Sequence, residues 1–137
     1  TKSGKILTLR KSDKNVGKEN SPEKRKTLLF VGGHLDKVDK DFSNTTTLLN
    51  GTRREIKEEL GIDIYMNCEA YLKSYIIYQQ TELKTSQHFG AMHTILLEEE
   101  FEPKFTDGKA QFIDIDKAKQ IPGLKDWSKY IIDEIIK

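Results

Sequence analysis

One long polar stretch in the middle of the chain restricts the fold most, because it predicts a helix with an acidic face. Ser43 or Asn44 is a suitable N-cap, and Gly61 stands where a glycine typically ends a helix. Ile56 and Leu60 lie four residues apart, so they share one side of this helix and can pack against a sheet. The helix is therefore predicted to be anchored by one face, with the polar face turned outward.

The rest of the pattern predicts an α/β (α+β) domain in which strands outnumber helices. Apolar runs predict strands at residues 5–10, 27–31, 68–80, 89–100 and 110–116. The polar segment 11–26 is predicted to be a long exposed loop. Pro122 precedes a second helix, and the apolar stripe of that helix consists of Leu124, Trp127, Ile131 and Ile135. We therefore expect a sheet covered by two helices.

Length and charge limit the classes of function. At 137 residues the chain has the size of one domain, so we predict a single domain over residues 1–137. The net charge of only +1 argues against bulk binding to nucleic acid or to anionic membranes. No apolar run is long enough to span a bilayer, and the first residues lack a signal-peptide pattern. With Cys68 as the only cysteine, we expect a cytoplasmic protein.

Three glutamates of the predicted helix are candidate ligands of a metal ion. Glu55, Glu58 and Glu59 have the spacing i, i+3 and i+4, which places them on a common face. Convergent carboxylates suit Mg²⁺, which completes its shell with water and substrate phosphates. Such an ion polarises a phosphoryl oxygen, and a remaining carboxylate can act as a general base. The alternative is an ordinary solvated helix face, because Glu, Lys and Arg are strong helix formers.

The order of residues in this stretch resembles a known motif. The segment REIKEELGI, from Arg54 to Ile62, is similar to the second half of the Nudix box, G-x5-E-x7-R-E-U-x-E-E-x-G-U, where U is a bulky aliphatic residue. All seven specified positions of this half are present. The upstream LLFVGGHLD (28–36) resembles the Gly-Gly segment that opens the box. The resemblance covers most of the chain and implies a Nudix-like mixed β-sheet covered by helices.

The resemblance also implies a function. Nudix proteins are typically Mg²⁺- or Mn²⁺-dependent hydrolases, so we expect cleavage of the diphosphate bridge of a nucleoside diphosphate-linked or related phosphorylated compound. Arg54 would be an orienting ion-pair partner, Gly33 would shape the loop beside the helix, and His34 is a candidate for contact with a phosphate. The carboxylates implied to bind the metal and to catalyse are Glu55, Glu58 and Glu59.

The first half of the box departs from the family pattern. Arg54 follows Gly33 by 21 positions, whereas 14 separate the corresponding residues of the motif, so the loop carries seven extra residues. Counted back from Arg54, Thr46 stands at the position of the first glutamate and Lys40 at that of the glycine. These departures support an alternative function, that of a catalytically impaired Nudix-like module that binds a nucleotide.

The sequence leaves open which other carboxylates belong to the site. If the lengthened loop folds back, one of its aspartates could replace the missing glutamate; otherwise they are turn-favouring surface residues. These aspartates are Asp36, Asp39 and Asp41. Many family members also recruit an acid from outside the box, and the candidates here are Glu98, Glu99, Glu100, Glu102 and Asp107.

The expected partner is a small-molecule nucleoside diphosphate derivative, and a homodimer is compatible with the sequence. The identity of the substrate does not follow from the family. Relatives usually have a further strand upstream of the one predicted at residues 5–10. The sequence as given has no room for it, so either N-terminal residues are missing or the sheet is completed differently.

Overall fold

The structure is a computed structural model that describes residues 1–12, 27–64, 71–77, 90–124 and 126–136, with the backbone alone at 71–77 and 126. In these ranges the strands are β1 (Lys5–Lys11), β2 (Thr27–Leu28), β3 (Tyr71–Ile77), β4 (Gly90–Leu96) and β5 (Gly108–Asp114). The helices are α1 (Asn44–Leu60), α2 (Ile115–Lys119) and α3 (Asp126–Tyr130). A 3-10 turn at Lys37–Asp39 precedes α1, and a π-helical turn at Ile131–Ile135 follows α3.

The strands form two antiparallel groups. β1 lies between β2 and β5, with Leu9 opposite Leu28 on one side and Ala110 on the other. β3 pairs with β4 over their whole length, from Tyr71 opposite Leu96 to Ile77 opposite Gly90. Helices and antiparallel strands together confirm the α+β class. Every pairing among the described strands is antiparallel, so the mixed sheet implied by the Nudix resemblance stays a prediction.

Three predicted strands end earlier than the sequence pattern indicates, and contacts in the structure explain two of these ends. The strand predicted at 27–31 ends at Leu28, because the N–H of Leu29 donates to Oγ of buried Ser128, 3.2 Å away, instead of to a neighbouring strand. The strand predicted at 110–116 ends at Asp114, where α2 begins and buries Ala118. Apolar side chains continue to be buried beyond both strand ends, although the backbone no longer pairs with a neighbouring strand. An apolar run in the sequence shows burial and not strand pairing, so it predicts strand ends that lie too far along the chain.

The remaining predictions about strands are confirmed only in part. β1 confirms the strand predicted at 5–10. β3 confirms the central residues of the strand predicted at 68–80, and β4 confirms residues 90–96 of the one predicted at 89–100. Residues 97–100 do not continue β4. Residues 68–70, 78–80 and 89 lie outside the described ranges, as do Cys68 and most of the loop predicted at 11–26.

Helix α1 begins and ends where the sequence predicts. Ser43 is its N-cap, and the side-chain oxygen accepts a hydrogen bond of 3.0 Å from the N–H of Thr46. At the other end, Gly61 has a φ of 70°, and its N–H donates to the carbonyl of Lys57. A residue with a side chain rarely adopts this φ, which explains the glycine.

Among the described residues the core consists of two clusters, of which one packs α1 against β1 and the other packs the C-terminal helical segment against Leu29 and Ala118. Ile56 and Leu60 of α1 pack against Leu9 of β1 and against Phe105, which confirms the predicted apolar face of the helix. The second cluster is formed by Leu29, Ala118 and Ile131, with Leu124 and Ile135 packed around them. Trp127 packs obliquely on Phe30, at 5.9 Å between ring centroids. The predicted C-terminal apolar stripe is therefore confirmed.

No helix in the described ranges is both long enough and apolar enough to cross a membrane. The cytoplasmic location stays a prediction.

Candidate functional site

The segment between the Gly-Gly pair and α1 runs back along the helix. Gly33 lies against Glu55, and a Cβ at this glycine would come within 2.5 Å of Oε2 of that glutamate. One helical turn earlier, a Cβ at Gly51 would lie 2.5 Å from Leu35 and 3.2 Å from Oδ2 of Asp39. The two glycines therefore allow the segment to lie close to α1. A glycine inside a helix costs up to about 1 kcal/mol relative to alanine, so the sequence predicts close packing at Gly51, and the structure confirms it.

The 3-10 turn at Lys37–Asp39 holds the carboxylate of Asp39 in a buried position. Asp39 is 2% exposed, and its Oδ2 accepts a hydrogen bond of 2.8 Å from the N–H of Asp36. The side chain of Asp36 in turn caps the turn by accepting from the N–H of Lys37. Asn50 of α1 donates to the carbonyl of Asp39 at 3.2 Å. The position of Asp39 is thus fixed by its own turn and by the helix.

Arg54 binds Asp39 through two parallel hydrogen bonds. Nε donates to Oδ1 at 2.9 Å, and Nη2 donates to Oδ2 at 3.0 Å. This is the paired geometry in which a guanidinium and a carboxylate interact most strongly. The hydrogen bonds from Arg54, followed by the one from the N–H of Asp36, lower the pKa of Asp39 below its ordinary value. The hydrogen bonds with Asp39 and Glu55 raise the pKa of Arg54.

The opposite edge of the guanidinium reaches the predicted metal ligands. Nη1 of Arg54 donates to Oε1 of Glu55 at 2.8 Å and to Oε2 of Glu58 at 3.1 Å. The second proton of Nη2 is donated to the backbone carbonyl of His34 at 2.9 Å. All five N–H groups of the guanidinium are therefore used, and two carboxylates meet at a single nitrogen atom.

The three glutamates differ in their surroundings. The side chain of Glu55 is 15% exposed, and that of Glu58 is 59% exposed. Glu59 is half-buried and is not an acceptor of the Arg54 donors. The helix thus presents two of the three predicted carboxylates to Arg54, one held in the protein and one able to turn in solvent.

The site offers carboxylate oxygens, the donors that a hard divalent cation prefers, but in this conformation its side chains are arranged around Arg54 and not as a metal site. In the part of the chain that the structure describes, no three His, Cys, Asp or Glu side chains form a group that could hold a metal ion. Arg54 takes one oxygen from Glu55 and one from Glu58. Each carboxylate keeps a second oxygen, and carboxylate oxygens are the ligands that Mg²⁺ prefers.

The structure separates the three loop aspartates, which the sequence could not. Asp39 contacts Arg54, whereas Asp36 caps the 3-10 turn and Asp41 lies near Asn50 at 3.5 Å. Asp36 is thus an exposed turn residue, as that interpretation has it, whereas Asp39 belongs to the same turn but is buried and binds Arg54, so it is not a surface residue. Gly51 was the signal in the sequence that could have pointed to Asp39, because an unfavourable glycine inside a helix indicates that another segment packs closely there. Sequence reasoning missed the contribution of Asn50.

Among the acids proposed from outside the box, Glu98 and Glu100 form ion pairs with lysines near the start of the chain. Glu98 pairs with Lys2, and Glu100 pairs with Lys5 at 2.6 Å. The hydrogen bond with Glu100 raises the pKa of Lys5. The hydrogen bonds described for Arg54 go to other residues than the five proposed acids, which are Glu98, Glu99, Glu100, Glu102 and Asp107. A role for one of them in the site stays a prediction.

The side chain of His34 is exposed, and its described contribution to the site is the backbone carbonyl that accepts from Arg54. A contact between this imidazole and a phosphate stays a prediction.

Thr46, at the position of the missing glutamate, is instead part of the N-cap of α1, where its hydroxyl lies 2.7 Å from Oγ of Ser43.

The fold and the site together define an α+β protein in which a buried aspartate pairs with a half-buried arginine that holds two glutamates of one helix. No protein-family model, no curated protein and no solved structure matches the chain.

Proposed function

We propose that this chain is a Nudix-type pyrophosphohydrolase that cleaves the diphosphate bridge of a nucleoside diphosphate-linked or related phosphorylated compound. The observation that carries the proposal is the meeting of Glu55 and Glu58 at Nη1 of Arg54, beside Gly33. These residues come from the two segments that resemble the Nudix box, and the fold brings them together although the loop between them is longer than in the family.

The residues that would hold Mg²⁺ or Mn²⁺ are Glu55, Glu58 and Glu59. When bound, the ion would polarise a phosphoryl oxygen and lower the pKa of an attacking water molecule. Glu55 is held against Gly33 and Arg54, so it is suited to bind in a fixed direction. Glu58 is more exposed and can reorient toward the substrate. A carboxylate that does not bind the ion would accept the proton of the water.

The arrangement around Arg54 also supports the alternative function of a module that binds a nucleotide without cleaving it. Both glutamates already have a cationic partner, and the motif's first glutamate is replaced by Thr46. A site in which a guanidinium keeps these carboxylates would bind a divalent ion weakly and hydrolyse slowly, because the ion must compete with a charged hydrogen bond.

A screen of nucleoside diphosphate derivatives with Mg²⁺ and with Mn²⁺ tests the proposal. We expect phosphate-containing products from at least one compound, and we expect Glu58→Gln and Glu59→Gln to lower turnover by about 100-fold or more, because each removes a carboxylate from the reaction. Circular dichroism should show an unchanged fold. Asp116→Asn is the matched control, since its side chain is exposed on α2 and pairs with Lys119.

Three outcomes separate the two functions. Turnover that is lost in the glutamine variants and kept in Asp116→Asn supports the hydrolase. Binding of a nucleotide without product formation supports the module. Turnover that is equal in wild type, Glu58→Gln and Glu59→Gln contradicts the assignment of the carboxylates.

A further inference from the structure

We propose that Asp39 is a positioning residue, which holds Arg54 so that Glu55 and Glu58 keep their affinity for a divalent cation. The cation part of this inference rests on the proposed function. The residue itself lies in the lengthened loop and not at Thr46, the position where the motif has its glutamate. Asp39 of the loop would thus supply the acidic group that α1 lacks at Thr46.

The argument begins with the two edges of the guanidinium. Nε and Nη2 of Arg54 are bound to the two oxygens of Asp39, at 2.9 and 3.0 Å. Nη1 points the other way and binds Glu55 and Glu58 at 2.8 and 3.1 Å. Because the guanidinium is planar and rigid, fixing one edge also fixes the direction of the other. Asp39 therefore determines where the two glutamates meet.

Asp39 is held independently of the glutamates. It is buried, and its contacts besides Arg54 include the N–H of Asp36 on its side chain and the amide of Asn50 on its carbonyl. Neither contact involves Glu55 or Glu58. The turn therefore fixes Asp39, Asp39 fixes Arg54, and Arg54 fixes the two carboxylates.

Asp39 also balances the charge of the site. Its negative charge offsets the positive charge of Arg54, which leaves the charges of Glu55 and Glu58 to attract a cation. If position 39 were neutral, the charge of Arg54 would oppose the cation and compete for both carboxylates. Loss of Asp39 should thus weaken cation binding through looser positioning and through repulsion.

Calorimetric titration of the full chain with Mn²⁺ tests the role of Asp39. We expect Asp39→Asn to weaken the affinity about tenfold or more, which is the usual effect of removing a group that orients metal ligands. Asp41→Asn is the matched control, because it removes one negative charge from the same loop without touching Arg54. We expect its affinity to stay within about twofold of wild type, since charges outside the site are screened by salt.

The titration has two outcomes that overturn the inference. One is wild-type affinity in Asp39→Asn, and the other is an equal loss in Asp39→Asn and Asp41→Asn, which would show a general effect of charge. If the wild-type chain binds no Mn²⁺, the proposed function fails together with the cation part of this inference.

Exchange of the Nε proton of Arg54 with solvent, followed by nuclear magnetic resonance without metal, tests the positioning separately. We expect slow exchange in wild type, in Asp41→Asn and in Glu58→Gln, and fast exchange in Asp39→Asn. Slow exchange in Asp39→Asn would refute the positioning role whatever the chain does with Mn²⁺. Fast exchange in Glu58→Gln would also refute it, because Glu58 and not Asp39 would then hold the guanidinium.

A second variant covers the case in which Asp39→Asn does not fold. Arg54→Lys keeps the positive charge, but an ammonium group cannot bind Asp39 with one edge and both glutamates with the other. We expect about a tenfold loss of Mn²⁺ affinity in this variant, with an unchanged circular dichroism spectrum. Wild-type affinity in folded Arg54→Lys would overturn the inference.

Discussion

At the scale of the residue, Asp39 and Arg54 show why an acidic stretch in a sequence is hard to interpret. The spacing of Glu55, Glu58 and Glu59 predicts a common helix face, and the structure places two of them at one nitrogen atom. The partner of Arg54 on its other edge comes from 15 residues upstream. Three loop aspartates were equal candidates in the sequence, because burial of one of them depends on how the loop lies on the helix.

The pH dependence of stability tests the ion pair between Asp39 and Arg54. The pKa of Asp39 is lowered in the folded chain, so its ionised form stabilises the fold above the ordinary pKa of 3.8, and this stabilisation is lost as the pH falls through the lower, folded value. We expect urea to unfold Asp39→Asn more easily than wild type at pH 7, and we expect the difference in midpoint to shrink below about pH 3.8.

The control for this measurement is Asp41→Asn, whose contact with Asn50 is long at 3.5 Å. Its urea midpoint should stay close to wild type at neutral pH. A difference between wild type and Asp39→Asn that is the same at pH 7 and at pH 3 would show that the ion pair does not stabilise the fold.

At the scale of the element, α1 joins the core to the site. Ile56 and Leu60 anchor it to β1, while Arg54 and the glutamates lie on its polar side. Its caps and its apolar face follow from local sequence rules, so its position in the chain was predictable. The loop that covers it was not, because the path of that loop depends on the space at Gly51 and on contacts between residues far apart in sequence.

Replacing Gly51 with alanine tests the packing between the loop and α1. Alanine raises helix propensity by up to about 1 kcal/mol, but its Cβ would lie 2.5 Å from Leu35 and 3.2 Å from Oδ2 of Asp39. Leu35 is exposed and can turn aside, whereas Asp39 is fixed by Arg54. We expect a net loss of about 1 kcal/mol in the free energy of unfolding, measured with urea.

Thr45→Ala provides the comparison for this variant, because Thr45 is exposed on the same helix. It should raise the free energy of unfolding by a few tenths of a kcal/mol, about the difference in propensity. If Gly51→Ala is stabilising to the same or a larger extent, the loop does not pack against the helix as the structure shows.

At the scale of the whole molecule, the core cluster of Leu9, Ile56, Leu60 and Phe105 determines where the carboxylates lie relative to the sheet. The N–H of Lys104 donates to the carbonyl of Leu60, so the segment before β5 also closes on the end of α1. The site therefore depends on a core whose buried members come from three separate parts of the chain, namely β1, α1 and the segment before β5.

Leu60→Ala tests this dependence. Leu60 is 2% exposed, and removing its side chain leaves a cavity between α1 and β1, so we expect a loss of about 2–5 kcal/mol in the free energy of unfolding. Leu96→Ala is the control, because Leu96 is 39% exposed on β4, and it should cost less than about 1 kcal/mol. Equal losses would show that the first core cluster does not govern the stability of the fold.

The sequence by itself determined the helix α1 with its caps, the main parts of β1, β3, β4 and β5, and the resemblance to the Nudix box. It also determined the apolar faces of α1 and of the C-terminal helical segment. These features depend on residues close together in the chain, where periodicity and capping rules apply. Only the tertiary structure decided the ends of the strands, the choice of Asp39 over Asp36 and Asp41, and the sharing of Arg54 between Asp39 and two glutamates. Each of these depends on which distant groups are buried together, and local spacing does not contain that information.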